Sequence, residues 1–272
     1  MPSTYAFIGG GNMGRALVGG LVAAGHDAAH IRVADASPDA RAACTTQFGV
    51  ATGDDILACA RDADVVVLAV KPQQLREVAR ALGGESDDGT LYLSIAAGIT
   101  VGHLEAWLGH GRAIVRAMPN TPALIGSGAA ALYANAVVDD AQRALADGLL
   151  GAVGSAVWVE DEALMDAVTA LSGSGPAYVF LLIELMERAG AELGLPPALA
   201  RSLALDTVHG AARLAHASGQ SPAELRVQVT SPGGTTERAL ASFAADELPA
   251  IVSRALTAAR DRAVELAAGI ER

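Results

Sequence analysis

Two glycine-rich stretches hold the residue types most able to do chemistry. The first, "FIGGGNMG", supplies Gly9-x-Gly11-x-x-Gly14 between an apolar run and a helical one. In that setting Gly9 permits a tight turn, Gly11 lets a diphosphate approach the main chain, and Gly14 lets helix and strand pack closely. The helix start then offers free N–H groups and a partial positive charge. The second, "VTSPGGTTERAL" at residues 229–240, again runs glycines into a helix, but near the end of the chain. N–H groups of Gly233, Gly234, Thr235 and Thr236 there suit a second, smaller anion, with Thr236 Oγ as a neighbouring hydrogen-bonding group.

Further polar positions fall at the carboxyl ends of strand-like runs, the edge where open α/β sheets bind ligands. Asp35 closes "IRVAD", about 20 residues beyond Gly14, where a carboxylate accepts from the ribose hydroxyls of NAD and repels the 2′-phosphate of NADP. The following "ASPD", with Ser37, could instead wrap a phosphate, so both cofactors stay open. Lys71, the only lysine in the chain, follows "VVVLAV". "SIAAG" (94–98) and "MPNTP" (118–122) end the next two strands, and Asn120 and Thr121 offer polar contacts toward a nicotinamide ring.

Other clusters carry less. The six histidines are scattered, and neither they nor Cys44 and Cys59 form a triad or a metal-ligand spacing, so no metal is expected. Glu160, Asp161 and Glu162 read as a solvated helix start, and Ser172 and Ser174 in "SGSGPAY" as a structural turn. A formal net charge of −11 without a basic stretch argues against nucleic acid and acidic membrane surfaces. Two cysteines without a framework fit a reduced, cytoplasmic setting. No leader segment is visible, and "AYVFLLIELMERAG", interrupted by Glu184, Glu187 and Arg188, reads as a buried helix too short to cross a membrane.

The elements that must position these residues fall into two regimes along the 272 residues. Up to about residue 160, strands ("TYAFIGG", "IRVAD", "DADVVVLAV", "TLYLSIA", "RAIVRAM") alternate with helices, one opened by Ser37–Pro38 and one by Pro72. That alternation predicts an α/β fold built of right-handed βαβ units, a Rossmann-type parallel sheet covered on both faces. Beyond it every run has helical period, with breaks at "SGSGP", "GLPP" and "SPGG" and one continuous helix expected after residue 235. The expected domains are therefore 1–160, dinucleotide-binding, and 161–272, all-helical. The last helices are apolar on nearly every face, more than about 110 residues can bury alone, which predicts a homo-oligomer.

In order, "IGGGNMG", "AVKPQ", "SIAAG", "RAMPNTPAL", "SGSGPAY" and "SPGGTTERAL" make the chain resemble the pyrroline-5-carboxylate reductases over essentially its whole length. The resemblance implies NAD(P)H-dependent reduction of 1-pyrroline-5-carboxylate to proline, the last step of proline biosynthesis. It also implies a helical dimerisation domain, a site shared between protomers, and assemblies that are often decamers of five dimers. On this basis the cofactor set is Gly9, Gly11, Asn12, Met13, Gly14, Asp35, Ser37, Val70, Lys71, Pro72, Ala96, Ala97, Gly98, Pro119 and Asn120. The substrate set is Ser231, Gly233, Gly234, Thr235 and Thr236, with Thr236 beside the ring nitrogen. A 3-hydroxyacid dehydrogenase, which normally needs a lysine on its helical domain, is disfavoured because no lysine follows Lys71. A non-catalytic nucleotide sensor is disfavoured because it needs no second anion cradle.

Overall fold

The computed structural model describes residues 2–84 and 89–270. Their contacts divide the chain into two compact units, Met1–Ser174 with Ala259–Arg272, and Gly175–Ala258.

The first unit is built on one eight-stranded sheet. β1 (Tyr5–Ile8), β2 (Ile31–Ala34), β3 (Ala51–Gly53), β4 (Val65–Leu68), β5 (Leu91–Ser94), β6 (Ala113–Met118), β7 (Gly128–Ala134) and β8 (Gly154–Trp158) pair in the order 3-2-1-4-5-6-7-8. Pairing is parallel from β3 through β6 and between β7 and β8, and antiparallel between β6 and β7. β1 and β4 are buried along their whole length, as strands covered on both faces must be. Two apolar clusters fill those faces, one around Phe7, Leu17, Val33, Leu93 and Leu149, the other around Ile8, Leu68, Leu75, Tyr92 and Leu104.

The strands read from apolar runs are all present. β3, β7 and β8 escape such a reading because "ATG", "GAAALYA" and "GSAVW" are short or rich in Ala and Gly, types depleted in strands. Register against β2, β6 and each other makes them strands. Helix α2 (Pro38–Phe48) starts as its sequence predicts, with Ser37 Oγ accepting from Ala40 N and Pro38 in its first turn. Helices α1 (Asn12–Ala23), α3 (Ile56–Ala60), α4 (Pro72–Gly83), α5 (Val101–Leu108) and α6 (Asp140–Gly151) complete the covering layers, and α7 (Leu164–Val168) runs into a π-helical turn at Thr169–Gly173.

The second unit holds α8 (Gly175–Glu192), α9 (Pro197–Ser218), α10 (Pro222–Gln228), α11 (Thr235–Ala245) and most of α12 (Leu248–Ala268). The single helix expected after residue 235 is two. Glu247 adopts a left-handed conformation (φ 55°), and Pro249 two residues later cannot donate to, or fit within, a continuing helix. α8 and α11 bury no residue within this chain, and Phe180, Leu181, Leu182 and Phe243 are among their exposed apolar side chains. The expected burial of α8 is thus absent from the single chain.

One arginine is buried in the sheet, among the described residues. Arg116 on β6 is 4% exposed, and its guanidinium meets Glu162 Oε1 at 3.0 Å and Asp166 Oδ1 at 3.7 Å. Glu162 Oε1 also accepts from Val101 N at 2.8 Å. Glu162 is therefore a half-buried partner tying β6 to the starts of α5 and α7, not the solvated residue its acidic run suggested. A charged residue inside the apolar run "AIVRAM" was the signal that a buried partner was needed.

Arg116→Met should lower stability by about 3 kcal/mol, because it strands two partly desolvated carboxylates. Adding Glu162→Gln should recover part of the loss; melting at fixed protein concentration checks both. Burial raises both thiols, Cys59 up to about 11. Neither should react with a thiol reagent at pH 8 until the chain unfolds. Between pH 9 and 11 the unfolded chain gives up the Cys59 proton that the folded chain keeps, so Cys59 makes stability fall as pH rises through that window. Denaturation midpoints of the Cys59→Ala variant should lack that component.

Candidate active site

The first glycine loop sits where strand order reverses, between β1 and β4. Gly9 has φ +112°, and a Cβ there would lie 2.6 Å from Ala69 O. A Cβ on Gly14 would lie 2.3 Å from Gly9 O. Both are demanded by the fold itself, since loop, helix and the chain after β4 touch backbone to backbone. Gly11 differs. A Cβ there would meet nothing within 4 Å, so no protein neighbour requires the glycine. The open space lies at the N-cap of α1, where helix N–H groups lack intrahelical acceptors. Open main chain at a helix start leaves room for a ligand, and a diphosphate is the chemical group that such a start is suited to receive.

A cavity of about 480 Å³ opens beside this loop and brings together Gly9, Gly11, Asp35, Ser37, Val70 and Lys71 with Asp54 and Glu77. The Asp35 carboxylate is fixed by the main chain: Gly10 N donates to Oδ2 at 2.7 Å and Ser37 N to Oδ1 at 2.8 Å. The position of Asp35 after β2 drew attention to it from sequence, but its bracing of the glycine loop is visible only in the fold. Asn12 and Met13 open α1, with Asn12 Oδ1 accepting from Arg15 at 2.9 Å, and Pro72 opens α4 behind Lys71. Asp54 and Glu77 carried no motif and were not singled out; only the fold assembles them here.

Ala96, Ala97 and Gly98 follow β5, and Pro119 and Asn120 follow β6, outside the lining of that cavity. Gly98 is left-handed (φ +74°) and packs 3.5 Å from Leu266 by its virtual Cβ. The Asn120 amide is engaged at both ends. Its Oδ1 accepts from Ala129 N at 2.9 Å, and its Nδ2 donates to Ser172 O at 3.2 Å and Ser172 Oγ at 3.3 Å. Ser172 lies in the π-helical turn, and Gly173 beside it leaves room for Met118, whose Cε would meet a Cβ there at 2.4 Å. "MPNTP" and "SGSGP" thus form one packed knot.

In the second unit the other glycine loop turns into α11. Gly233 is left-handed (φ +71°), Gly234 is the N-cap, and Thr235 and Thr236 are the first two helical residues. Two of the four expected N–H donors already have acceptors: Gly233 N donates to Glu237 Oε2 at 2.7 Å and Gly234 N to Ser231 O at 3.0 Å. Thr235 and Thr236 N–H, at the first two positions of the helix, have no intrahelical acceptor. A groove of about 570 Å³ is lined by Gly233, Gly234, Thr235, Glu237, Arg238 and Ala241, while Thr236 is half-buried outside that lining. Among the described residues no group of three or more His, Cys, Asp or Glu side chains is placed to hold a metal.

Comparison with known proteins covers both units. Residues 162–266 match the family model for pyrroline-5-carboxylate reductase dimerisation, and residues 4–98 match that for NADP oxidoreductase, coenzyme F420-dependent. The pyrroline-5-carboxylate reductase of Pseudomonas aeruginosa is 52% identical over 262 residues, 96% of each chain, and that of Haemophilus influenzae 43% identical over the same shares. Among solved structures, a pyrroline-5-carboxylate reductase from Coxiella burnetii superimposes with a TM-score of 0.93 at 45% identity, covering 98% of this chain and 99% of that one. The Plasmodium falciparum enzyme, solved with NADP bound, gives 0.87 at 29% identity over 97% and 98%. The helical run Leu164–Glu192 has the length and composition to cross a membrane, longer than the sequence suggested, and it lies wholly within the stretch matched for dimerisation. Similarity of this depth, spread from the first glycine loop through the dimerisation helices, places the chain in the pyrroline-5-carboxylate reductase family.

Proposed function

We propose that this chain reduces 1-pyrroline-5-carboxylate to L-proline with NADH or NADPH, the closing step of proline biosynthesis. The observation that carries the reading is Gly11, a glycine at a helix start that no protein neighbour requires, in a chain of this family. When bound, the reduced nicotinamide supplies the hydride that adds to the carbon of the C=N bond.

The protein's own residues bind and orient. Gly9, Gly11, Asn12, Met13 and Gly14 receive the diphosphate. Asp35 and Ser37 face the adenosine ribose, and Val70, Lys71 and Pro72 border the cavity. Main-chain groups of Ala96, Ala97, Gly98, Pro119 and Asn120 line the nicotinamide side, with Asn120 holding its loop through Ala129 and Ser172. The substrate carboxylate is held by Thr235 and Thr236 N–H, while Ser231, Gly233 and Gly234 set the loop that presents them. Thr236 Oγ accepts from the protonated ring nitrogen, which fixes the ring and favours the protonated imine that accepts hydride. A threonine hydroxyl is a weak acid, so its contribution is orientation, and well-oriented systems gain about 7–11 kcal/mol from such positioning.

A dinucleotide-binding domain over 1–160 and a helical dimerisation and substrate domain over 161–272 follow from this division of labour. Exposed Phe180, Leu181 and Leu182 support a homodimer as the least assembly, and a pentamer of dimers is the larger form proposed. A cytoplasmic setting, without nucleic-acid or membrane partners, fits the net charge of −11 and the two reduced cysteines.

Turnover is tested by mixing the protein with 1-pyrroline-5-carboxylate and NADH or NADPH and following loss of the reduced nicotinamide's absorbance; no oxidation with either would overturn the reading. Gly11→Ala should fold with unchanged thermal stability yet bind the cofactor at least about tenfold more weakly, ~1.4 kcal/mol. Gly14→Ala should instead lose about 1–3 kcal/mol of stability, because its Cβ has no room. Thr236→Ala should lower kcat or raise the substrate KM while leaving the cofactor Kd within about twofold, under ~0.5 kcal/mol. Unchanged kinetics would remove Thr236 from the site.

A further inference from the structure

Helices α5, α6 and α10 start with a reciprocal pair of bonds. The residue before each helix caps it with its own side chain: Thr100 Oγ1 accepts from His103 N, Asp139 Oδ1 from Gln142 N and Ser221 Oγ from Glu224 N. The third helical residue then accepts from the main-chain N–H of that cap. α11 starts differently. Its cap is Gly234, which has no side chain to spend on the first turn. Its third residue, Glu237, reaches one position further back, and Oε2 accepts from Gly233 N at 2.7 Å. The loop is thus held from behind, while the N–H groups of Thr235 and Thr236 lack intrahelical acceptors. We propose that Glu237 is the positioning residue of the substrate cradle: by pinning Gly233 it presents those two N–H groups to the carboxylate of 1-pyrroline-5-carboxylate. The inference rests on the reduction proposed above.

Three features carry it. Gly233 and Gly234 are adjacent, and glycine has the widest backbone freedom of any residue. Gly233 is left-handed (φ +71°), yet nothing lies within 4 Å of the place its Cβ would take, so packing does not hold that conformation. The other bonds of the loop fix its ends. Thr230 Oγ1 donates to Arg226 O at 2.6 Å, and Gly234 N to Ser231 O at 3.0 Å. The Glu237 bond is the one that reaches Gly233, and a carboxylate acceptor makes it stronger than a neutral pair. Finally, Glu237 lines the same groove as Gly233, Gly234 and Thr235. A carboxylate left free there would compete for the N–H groups meant for the substrate; bonded to Gly233, it serves the loop instead. A cradle ordered before the substrate arrives saves the cost of ordering it on binding. The contribution of Glu237 therefore falls on substrate binding rather than on hydride transfer.

The test compares the full-length parent with Glu237→Ala, Glu237→Gln and Glu237→Asp in steady-state reduction of 1-pyrroline-5-carboxylate at saturating reduced cofactor. Gln keeps an acceptor oxygen at the same reach without the charge, whereas Asp keeps the charge and loses a methylene of reach. Glu237→Ala and Glu237→Asp should raise the substrate KM at least about fivefold and hold kcat within about twofold, the pattern of lost ground-state binding. Glu237→Gln should recover most of that loss. All three should keep the parent's helical circular dichroism and bind the cofactor within about twofold of its Kd, so that a KM change is not misfolding. An unchanged KM in Glu237→Ala would overturn the proposal. So would recovery by Asp rather than by Gln, because charge and not the bond to Gly233 would then be the cause. A parent that turns over with neither cofactor would instead remove the reduction itself, and this inference with it.

Discussion

The approach of three stretches of backbone at the reversal of strand order is the constraint on which the rest depends. Gly9 lies against Ala69, and Gly14 against Gly9, at separations no side chain would allow. That contact lets α1 start directly above the sheet and aim its free N–H groups into the crevice. The Asp35 carboxylate reinforces it from β2 by holding Gly10 N. The glycine turn and the Asp35 carboxylate are therefore one mechanical unit. A change at either is felt by the other.

A second constraint acts at the far side of the parallel strands. Arg116 enters the sheet as a buried cation, and Glu162 and Asp166 answer it from the start of α7. Glu162 also takes Val101 N, so one carboxylate fixes the entry of α5 and the approach to α7 together. From there the π-helical turn carries Ser172 to Asn120, which in turn holds Ala129 at the start of β7. With both ends of its amide engaged, Asn120 holds the loop after β6 against β7 and the π-helical turn. Conformational definition, rather than catalysis, is the first task of Asn120.

The two glycine loops follow different rules. In the first, tertiary contact with β4 fixes the glycines. In the second, local turns do so: Ser231 O takes Gly234 N, and the Glu237 carboxylate takes Gly233 N. The second loop therefore keeps its shape from residues within one helical turn, and its remaining donors are those of Thr235 and Thr236. The apolar helices around it are unfinished in the single chain, as the exposure of Phe180 and Phe243 shows. A dimerisation domain is where such surfaces belong.

Much was legible in the sequence because it depends on short-range physics. Apolar runs gave β1, β2 and β4–β6, Ser37–Pro38 gave the start of α2, and the glycines marked the loops that turn into α1 and α11. Motif order identified the family. What the sequence could not supply rests on partners distant along the chain. β3, β7 and β8 are too Ala- and Gly-rich to declare themselves and become strands by pairing. The break at Glu247 hid inside a helical period, though Pro249 signalled it. Asp54 and Glu77 look like ordinary surface acids until βαβ crossovers bring them beside Asp35. The sequence alone determined which chemistry is possible, since residue type and spacing set which groups can bind an anion. The tertiary structure decided which of those groups remain free, because a hydrogen bond made inside the fold, as at Ser37 N or Asn120 Nδ2, is no longer offered to a ligand.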